Sequence, residues 1–226
     1  MTIRIRSFVL AATALPLALT TAACGDKNAD QAPTSAEPAP AVAAPAGKAW
    51  TDVVVKTEEG GYRVGNPDAA IKLVEYASLS CSHCAEFAKA SSEKLRTDYI
   101  ATGRVSYELR HFMLNAFDVS ATLLATCGTT EAAIPLSEQF WSWQPNLFTN
   151  LQAAGDAKVQ QAATLPPAQR MQAIAQLGGM TDFFASRGIS KDQAAACLAD
   201  TAKADALAKQ TEVGTTKYNV TGTPMF

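Results

Sequence analysis

Two cysteines, Cys81 and Cys84, lie two residues apart in the stretch CSHC, where an apolar run gives way to a helical pattern. The attacking form of a cysteine is the thiolate. Cys81 falls at the predicted helix N-terminus, where free backbone N–H groups and the helix dipole favour negative charge. Cys84 returns to the same face of that helix, so the two sulfurs can meet. The imidazole of His83 is a further group that stabilises a thiolate at Cys81.

This spacing is compatible with a metal clip, a structural bridge or a redox dithiol. A structural zinc site needs four ligands, but the chain has only two histidines and no second close Cys/His pair. A bridge across a four-residue loop constrains the unfolded chain little. A stabilised thiolate, in contrast, favours the reduced form and makes the disulfide a strong oxidant. The pattern therefore favours a redox dithiol, and we expect neither a metal nor another cofactor.

The elements around the pair are predicted to form a β-α-β unit. The apolar stretch from Ile71 to Ala77 predicts a strand buried on both faces, and a helix follows from about Cys81 to Thr102, ended by Gly103. A second strand begins at Val105, and the crossover between such strands is right-handed. Before this unit, WTDVVVKT predicts a short strand and GGYRVGNPDAA predicts a turn-rich connection.

Helical stretches dominate the chain after the second strand, which predicts an all-helical insertion over about residues 116–200. Within it, Phe140, Trp141, Leu147 and Phe148 recur at helical spacing, and we expect them to form the core of the insertion rather than a substrate groove. The predicted helices of this half of the chain cover residues 119–127, 134–143, 167–177, 191–198 and 201–218.

The N-terminal residues predict export from the cytoplasm. Residues 1–23 have basic residues, then an apolar run, then small residues, as in a secretory signal peptide. The following Cys24 resembles the lipidated cysteine of bacterial lipoproteins, although Thr21 departs from the usual pattern and ordinary cleavage near Ala23 is the alternative. Residues 24–49 are rich in Ala and Pro and predict a disordered linker. The folded domain is expected over residues 50–226.

The stretches EYASLSCSHCAEF and VTGTPMF resemble the DsbA family of periplasmic thiol–disulfide oxidoreductases, which have a thioredoxin-like α/β fold. The resemblance implies that Cys81 is the nucleophile, Cys84 the resolving cysteine and His83 the residue that tunes them. It also implies that Pro224 is a cis-proline facing the dithiol. The backbone of Thr223 is then free to pair with an extended substrate segment.

Residues outside the motif also have expected roles, and the resemblance supplies the first of them. Glu75 matches a buried acid that helps to move the proton of the resolving cysteine; the alternative is a surface carboxylate at the edge of the sheet. Cys127 and Cys197 are either a second, structural disulfide or two buried free thiols. His111 is expected to be structural. Ser82 stands where the family often has proline, a position that influences the redox potential.

The sequence thus predicts a thiol–disulfide oxidoreductase of the periplasm that oxidises cysteines of secreted proteins and is reset by a membrane redox partner. The alternatives are a reductase or isomerase of the same fold, and a non-enzymatic lipoprotein that binds a partner or a soft metal through its thiols. The net charge of −2 gives no electrostatic case for nucleic-acid binding, and a lipid anchor is the only membrane contact expected. Because thioredoxin-like domains continue with strands and a helix after the cis-proline, we also expect the sequence to be incomplete after Phe226.

Overall fold

The computed structural model of the protein describes residues 39–226. The predicted signal peptide, Cys24 and most of the predicted linker lie outside these residues. In the described part, four strands form one mixed sheet in the order β1-β2-β4-β3, and β3 runs parallel to β4 while the other neighbours are antiparallel. The predicted β-α-β unit is therefore confirmed. The strands are β1 (Val54–Lys56), β2 (Tyr62–Gly65), β3 (Ile71–Ala77) and β4 (Val105–His111).

Strand β2 lies inside the stretch that the sequence analysis assigned to a connection, so that prediction is wrong. Tyr62 and Val64 alternate with Arg63, and both apolar side chains are buried. The strand pairs with β1 on one side and β4 on the other. The alternation of apolar and polar residues in β2 extends over only four residues, and the glycines and proline of a turn-rich sequence flank it. The pattern was therefore too short to predict a strand.

The helix that carries the motif is α1 (Ser82–Lys94), with Cys81 as its N-cap residue. The helical path continues through a π-helical turn at Leu95–Tyr99 and a 3-10 turn at Ile100–Thr102. Gly103 then ends it in the left-handed conformation, with φ 72°, a backbone geometry that glycine adopts without steric cost.

The last residues of the predicted linker lie against the folded domain. The Val42 N–H donates to the Thr102 carbonyl at 3.0 Å, and the Val42 carbonyl accepts from the Trp50 indole N–H at 2.7 Å. Trp50 is itself buried. Val42 of the predicted linker is therefore held by Thr102 and Trp50, whereas residues 43–49 are mostly exposed. The disorder of the linker stays a prediction.

Six helices occupy the predicted insertion, and α8 follows it. The first begins at Ala116 and the last ends at Ala199, in agreement with the predicted bounds. The shorter helices α4 and α6 were not predicted separately. The helices are α2 (Ala116–Ala125), α3 (Ala133–Ala154), α4 (Asp156–Ala163), α5 (Pro167–Leu177), α6 (Met180–Ala185), α7 (Lys191–Ala199) and α8 (Thr201–Tyr218). Of these described helices, none is both long and apolar enough to cross a membrane.

The core of the insertion forms around α3. Phe140, Trp141 and Leu147 are buried, as predicted, and Phe140 stacks on Phe184 of α6 with ring centroids 5.5 Å apart. Phe148, however, is 44% exposed, so its assignment to the core is wrong. It lies one residue beyond Leu147, a turn of about 100° around the helix, and this rotation carries it out of the buried stripe.

The C-terminal segment runs beside β3. The Tyr76 N–H donates to the Met225 carbonyl at 2.8 Å, and the Met225 N–H donates back to the Tyr76 carbonyl at 3.1 Å. This antiparallel pair brings the segment that contains Pro224 alongside the strand that leads into the cysteine motif. The expectation that further strands follow Phe226 stays a prediction.

Candidate active site

The two cysteines of the motif occupy opposite environments at the start of α1. Neither forms a disulfide; Cys81 is half-buried and Cys84 is completely buried. The Cys84 backbone N–H points at the Cys81 sulfur, at 3.4 Å, and is one of the free donors of a helix N-terminus. Burial raises the pKa of the Cys84 thiol. One sulfur is thus accessible and faces a backbone donor, while the other is held protonated beneath it.

The Thr223–Pro224 peptide bond is cis, and it lies directly opposite the accessible cysteine. The Cys81 thiol donates to the Thr223 carbonyl, with 3.3 Å between sulfur and oxygen. Residues that are 142 positions apart in sequence therefore meet at one point. A substrate segment that reaches Cys81 also comes within reach of the Thr223 backbone.

The His83 side chain is directed toward solvent. Its ring Nδ1 lies 3.2 Å from a carboxylate oxygen of Glu86, and its side chain is 77% exposed. Among the described hydrogen bonds, those of the Cys81 sulfur are made with Cys84 and Thr223 rather than with His83. In this conformation, an effect of His83 on Cys81 would be electrostatic, and the solvent and salt around the exposed imidazole would screen it.

Glu75 is buried in the sheet rather than exposed at its edge, so the surface-carboxylate alternative is wrong. The side chain is 1% exposed, and its Oε2 accepts from the Tyr107 hydroxyl at 2.6 Å. Burial raises the Glu75 pKa to about 7; the Tyr107 hydrogen bond opposes this shift and the charge of Glu138 adds to it. Glu75 can therefore take up or release a proton near neutral pH.

Tyr107 was not identified in the sequence. It lies on β4 directly beside β3 and points to the same face as Glu75. Burial raises the Tyr107 pKa well above its usual value, and the charges of Glu75, Glu138 and Cys84 add to this effect. The only sequence signal was the alternation of β4, which puts a tyrosine on the helix-covered face.

Three side chains of the insertion hold the loop before the motif: Asp118, Trp141 and Gln144. The sequence analysis named only Trp141, as a core residue, and predicted this role for none of them. Asp118 accepts from the Ser78 hydroxyl at 2.7 Å and from the Ser80 N–H at 2.8 Å. The Trp141 indole donates to the Ser78 carbonyl at 2.9 Å. These buried bonds fasten the strand-to-helix turn to α2 and α3.

Of these three side chains, Gln144 makes the contact that lies nearest to the cysteine pair. Its side-chain amide donates to the Leu79 carbonyl at 2.8 Å and to the Cys81 carbonyl at 3.0 Å. Gln144 is 4% exposed and lies in the apolar stripe of α3, where a polar residue needs a partner. A glutamine within a helical stripe otherwise predicted to be core was the sequence signal that could have identified this residue.

The two other cysteines within residues 39–226 and the second histidine lie away from the dithiol. Cys127, which follows α2, and Cys197 of α7 form a disulfide with 5.9 Å between their Cα atoms. His111 is 2% exposed and its Nε2 lies 3.0 Å from the Ser137 hydroxyl; burial lowers its pKa to about 3. Within residues 39–226, no group of three or more His, Cys, Asp or Glu side chains is arranged to hold a metal ion.

A helix that begins with a free CxHC pair opposite a cis-proline, on a mixed sheet, defines a thioredoxin-like protein. A family model described as Thioredoxin matches residues 57–226. The chain therefore belongs to the thioredoxin family, and its predicted resemblance to thiol–disulfide oxidoreductases is confirmed.

Two solved structures show how far the similarity extends. The protein-disulfide isomerase of Novosphingobium aromaticivorans is 31% identical with a TM-score of 0.69, over 72% of this chain and 83% of that one. The α-DsbA1 of Wolbachia pipientis is 22% identical with a TM-score of 0.58, over 73% and 72%; at that identity it shows the fold alone.

A relative known from its sequence matches over a shorter region. A Rickettsia bellii protein named "Putative protein-disulfide oxidoreductase" is 36% identical over 75 residues, which make up 33% of this chain and 29% of that protein. The chain thus matches less than a third of the length of this relative.

Proposed function

We propose that this protein exchanges disulfides with the cysteines of other proteins through a mixed disulfide at Cys81. The observation that carries the proposal is the pairing of an accessible Cys81 with a fully buried Cys84, directly opposite the Thr223 carbonyl. Only one of the two sulfurs can then meet an incoming substrate. The cis-proline segment is only half-buried, which supports the binding of an extended substrate strand beside it.

In the oxidising direction, a substrate thiolate attacks the Cys81 sulfur of the Cys81–Cys84 disulfide. The substrate–Cys81 bond forms, the Cys81–Cys84 bond breaks, and Cys84 leaves as a thiolate that takes up a proton. A second substrate thiolate then attacks the substrate sulfur of the mixed disulfide, and Cys81 leaves as a thiolate. The substrate loses two electrons and the dithiol gains them. Glu75 is the buried acid that supplies the proton to Cys84.

The oxidising direction, the periplasm as the location and a membrane partner that removes the two electrons all belong to this proposal. The secretory signal predicted over residues 1–23 supports an oxidising compartment. Secreted proteins with unpaired cysteines are the corresponding substrates.

An isomerase of the same fold is the second candidate. It is favoured by the similarity to the Novosphingobium aromaticivorans protein, which is described as a protein-disulfide isomerase. The chemistry at Cys81 is the same in both cases; in an isomerase, however, the working form of the pair is reduced.

Two assays on the purified protein test the proposal: oxidative refolding of a reduced substrate, and repair of a substrate with scrambled disulfides. We expect the oxidised protein to accelerate the first and the Cys81→Ser variant to be inactive in both. The double variant Cys127→Ser, Cys197→Ser is the matched control, because it loses the same residue type and keeps the motif; it should retain activity. Full activity of Cys81→Ser would refute the mechanism, and activity confined to repair would favour the isomerase.

A further inference from the structure

A small cavity separates Glu75 from the surface of the protein. Its volume is about 10 Å³, and apolar side chains of α1, the two turns that follow α1, β2 and α3 form most of its wall. A space of this size holds roughly one water molecule when polar groups line it. The polar residues of the lining are Glu75, Ser92, Arg96, Tyr107 and Glu138.

The inner end of the cavity is the Glu75 carboxyl group. Tyr107 donates to its Oε2, whereas its Oε1 is buried and has no hydrogen-bond partner among the described residues. Buried carboxylate oxygens are almost always paired. The Glu75 Oε1 therefore either carries the proton of the carboxyl group or accepts a hydrogen bond from a group or water in the cavity.

The outer end is an ion pair at the protein surface. Arg96 donates to a Glu138 carboxylate oxygen at 2.7 Å, and the two side chains are 35% and 24% exposed. Burial raises the Glu138 pKa, while the charge of Arg96 and a hydrogen bond with Ser92 lower it. Glu138 thus contacts solvent on one side and the cavity that reaches Glu75 on the other.

Three titratable or charged groups line the cavity together with Glu75: Arg96 of the π-helical turn, Tyr107 of β4 and Glu138 of α3. Cys84 of α1 contributes to the raised pKa of Tyr107, which is the hydrogen-bond partner of Glu75. Arg96 keeps its charge at all physiological pH values, and Tyr107 stays protonated since its pKa is raised. The two carboxyl groups are therefore the ones that can pass a proton between the interior and the solvent.

We propose that Glu138 is the outer station of a proton route that reloads Glu75 through the cavity, and that Tyr107 is the positioning residue that holds Glu75. The inference rests on the proposed function. When a substrate thiolate breaks the Cys81–Cys84 bond, Glu75 transfers its proton to the Cys84 thiolate and becomes a carboxylate. The Glu138 carboxylate then takes up a proton from solvent and passes it to Glu75, so that Glu138 returns to its ion pair with Arg96 and no charge stays in the core.

The test uses oxidised protein mixed with an excess of a cysteine peptide, with acid quenching and mass spectrometry of the mixed disulfide from pH 5 to 9. We expect Glu138→Gln to slow this step by about tenfold above pH 7, where Glu75 starts as a carboxylate and has to be loaded through Glu138 before Cys84 leaves. A tenfold effect is a modest share of what general acid–base catalysis contributes. Glu138→Asp should restore the rate because it keeps the carboxyl group. Glu93→Gln, an exposed glutamate of α1 outside the cavity, is the matched control and should match the wild type.

A second readout separates a proton route from simple packing. The charge of Glu138 contributes to the raised Glu75 pKa, so Glu138→Gln should lower that pKa in carbon-13 NMR of the Glu75 carboxyl, and Glu138→Asp should not. The route is overturned if Glu138→Gln reacts like the wild type at every pH, or if Glu138→Asp is as slow as Glu138→Gln. If wild-type protein itself forms no mixed disulfide, the proposed function fails instead, whatever the Glu138 variants do.

Discussion

Cys81 and Cys84 are the same residue type, and their different roles arise from their surroundings. The helix start gives Cys81 a backbone donor and access to solvent, while the core encloses Cys84 and raises its pKa. The spacing of the motif was sufficient to predict this difference. The orientation of His83 toward Glu86 was not predictable, because an exposed side chain selects among rotamers that sequence does not distinguish.

Glu75 shows a second limit of sequence reasoning at this scale. In a strand apolar on both faces, alternation does not reveal which face a carboxylate occupies or whether a tyrosine of the neighbouring strand meets it. The structure shows that Glu75 lies on a buried face of the sheet. As a consequence, its carboxyl group titrates near neutral pH.

The Glu75 pKa makes stability depend on pH in a predictable direction. Folding raises it from 4.5 to about 7, so its contribution is fully present below pH 4.5 and is lost as pH rises through 7. Wild-type protein should lose about 3 kcal/mol between pH 4.5 and pH 8 from this group, and Glu75→Gln should lack this loss. Urea unfolding of both proteins at each pH measures the difference between their free energies of unfolding. The contributions of His111 and other titratable groups are the same in both proteins and cancel in this difference. Parallel stability curves would contradict the assignment.

At the scale of elements, the insertion does more than extend the fold. Through Asp118, Trp141 and Gln144 it holds the loop before the motif and the first turn of α1. Helical periodicity predicted five of the helices in this half of the chain, although α2 begins three residues before its predicted start and α3 continues eleven residues beyond its predicted end. It did not predict these contacts, because they join positions about 40 to 65 residues apart and depend on how the two layers pack.

Replacing Gln144 by leucine tests this hold. Leucine has a similar size but leaves the Leu79 and Cys81 carbonyls without their buried donor, which should lower the free energy of unfolding by about 1–3 kcal/mol. We also expect Cys81 to react more slowly with an alkylating reagent, since the turn that presents it is less ordered. Gln152→Leu, at an exposed position of the same helix, is the control. Unchanged alkylation in a destabilised Gln144→Leu protein would limit Gln144 to a structural role.

At the scale of the whole molecule, two cysteine pairs have separate tasks. One lies at the start of α1, and the other ties the end of α2 to α7 across 70 residues. Composition and charge predicted a folded domain and gave no case for nucleic acid. The choice between a bridge and two free thiols at Cys127 and Cys197 could not be made from sequence, because it depends on a distance between helices.

The second pair should contribute stability without changing the chemistry at Cys81. Closing a loop of this length is worth up to about 4 kcal/mol in the chain-entropy description. The double variant Cys127→Ala, Cys197→Ala should therefore unfold at lower urea concentration and keep its redox equilibrium with glutathione. A folded double variant with an altered equilibrium would show that the two pairs are coupled.

The central claim is that substrates are captured at the Cys81 sulfur, and trapping measures this most directly. Cys84→Ala protein, with its single remaining motif thiol, is incubated with a substrate that carries a disulfide, and the products are analysed by mass spectrometry without reductant. The account predicts a covalent adduct that maps to Cys81, is released by reductant and is absent from the Cys81→Ser, Cys84→Ala variant. Absence of the adduct, or an adduct that maps to Cys127 or Cys197, would contradict it.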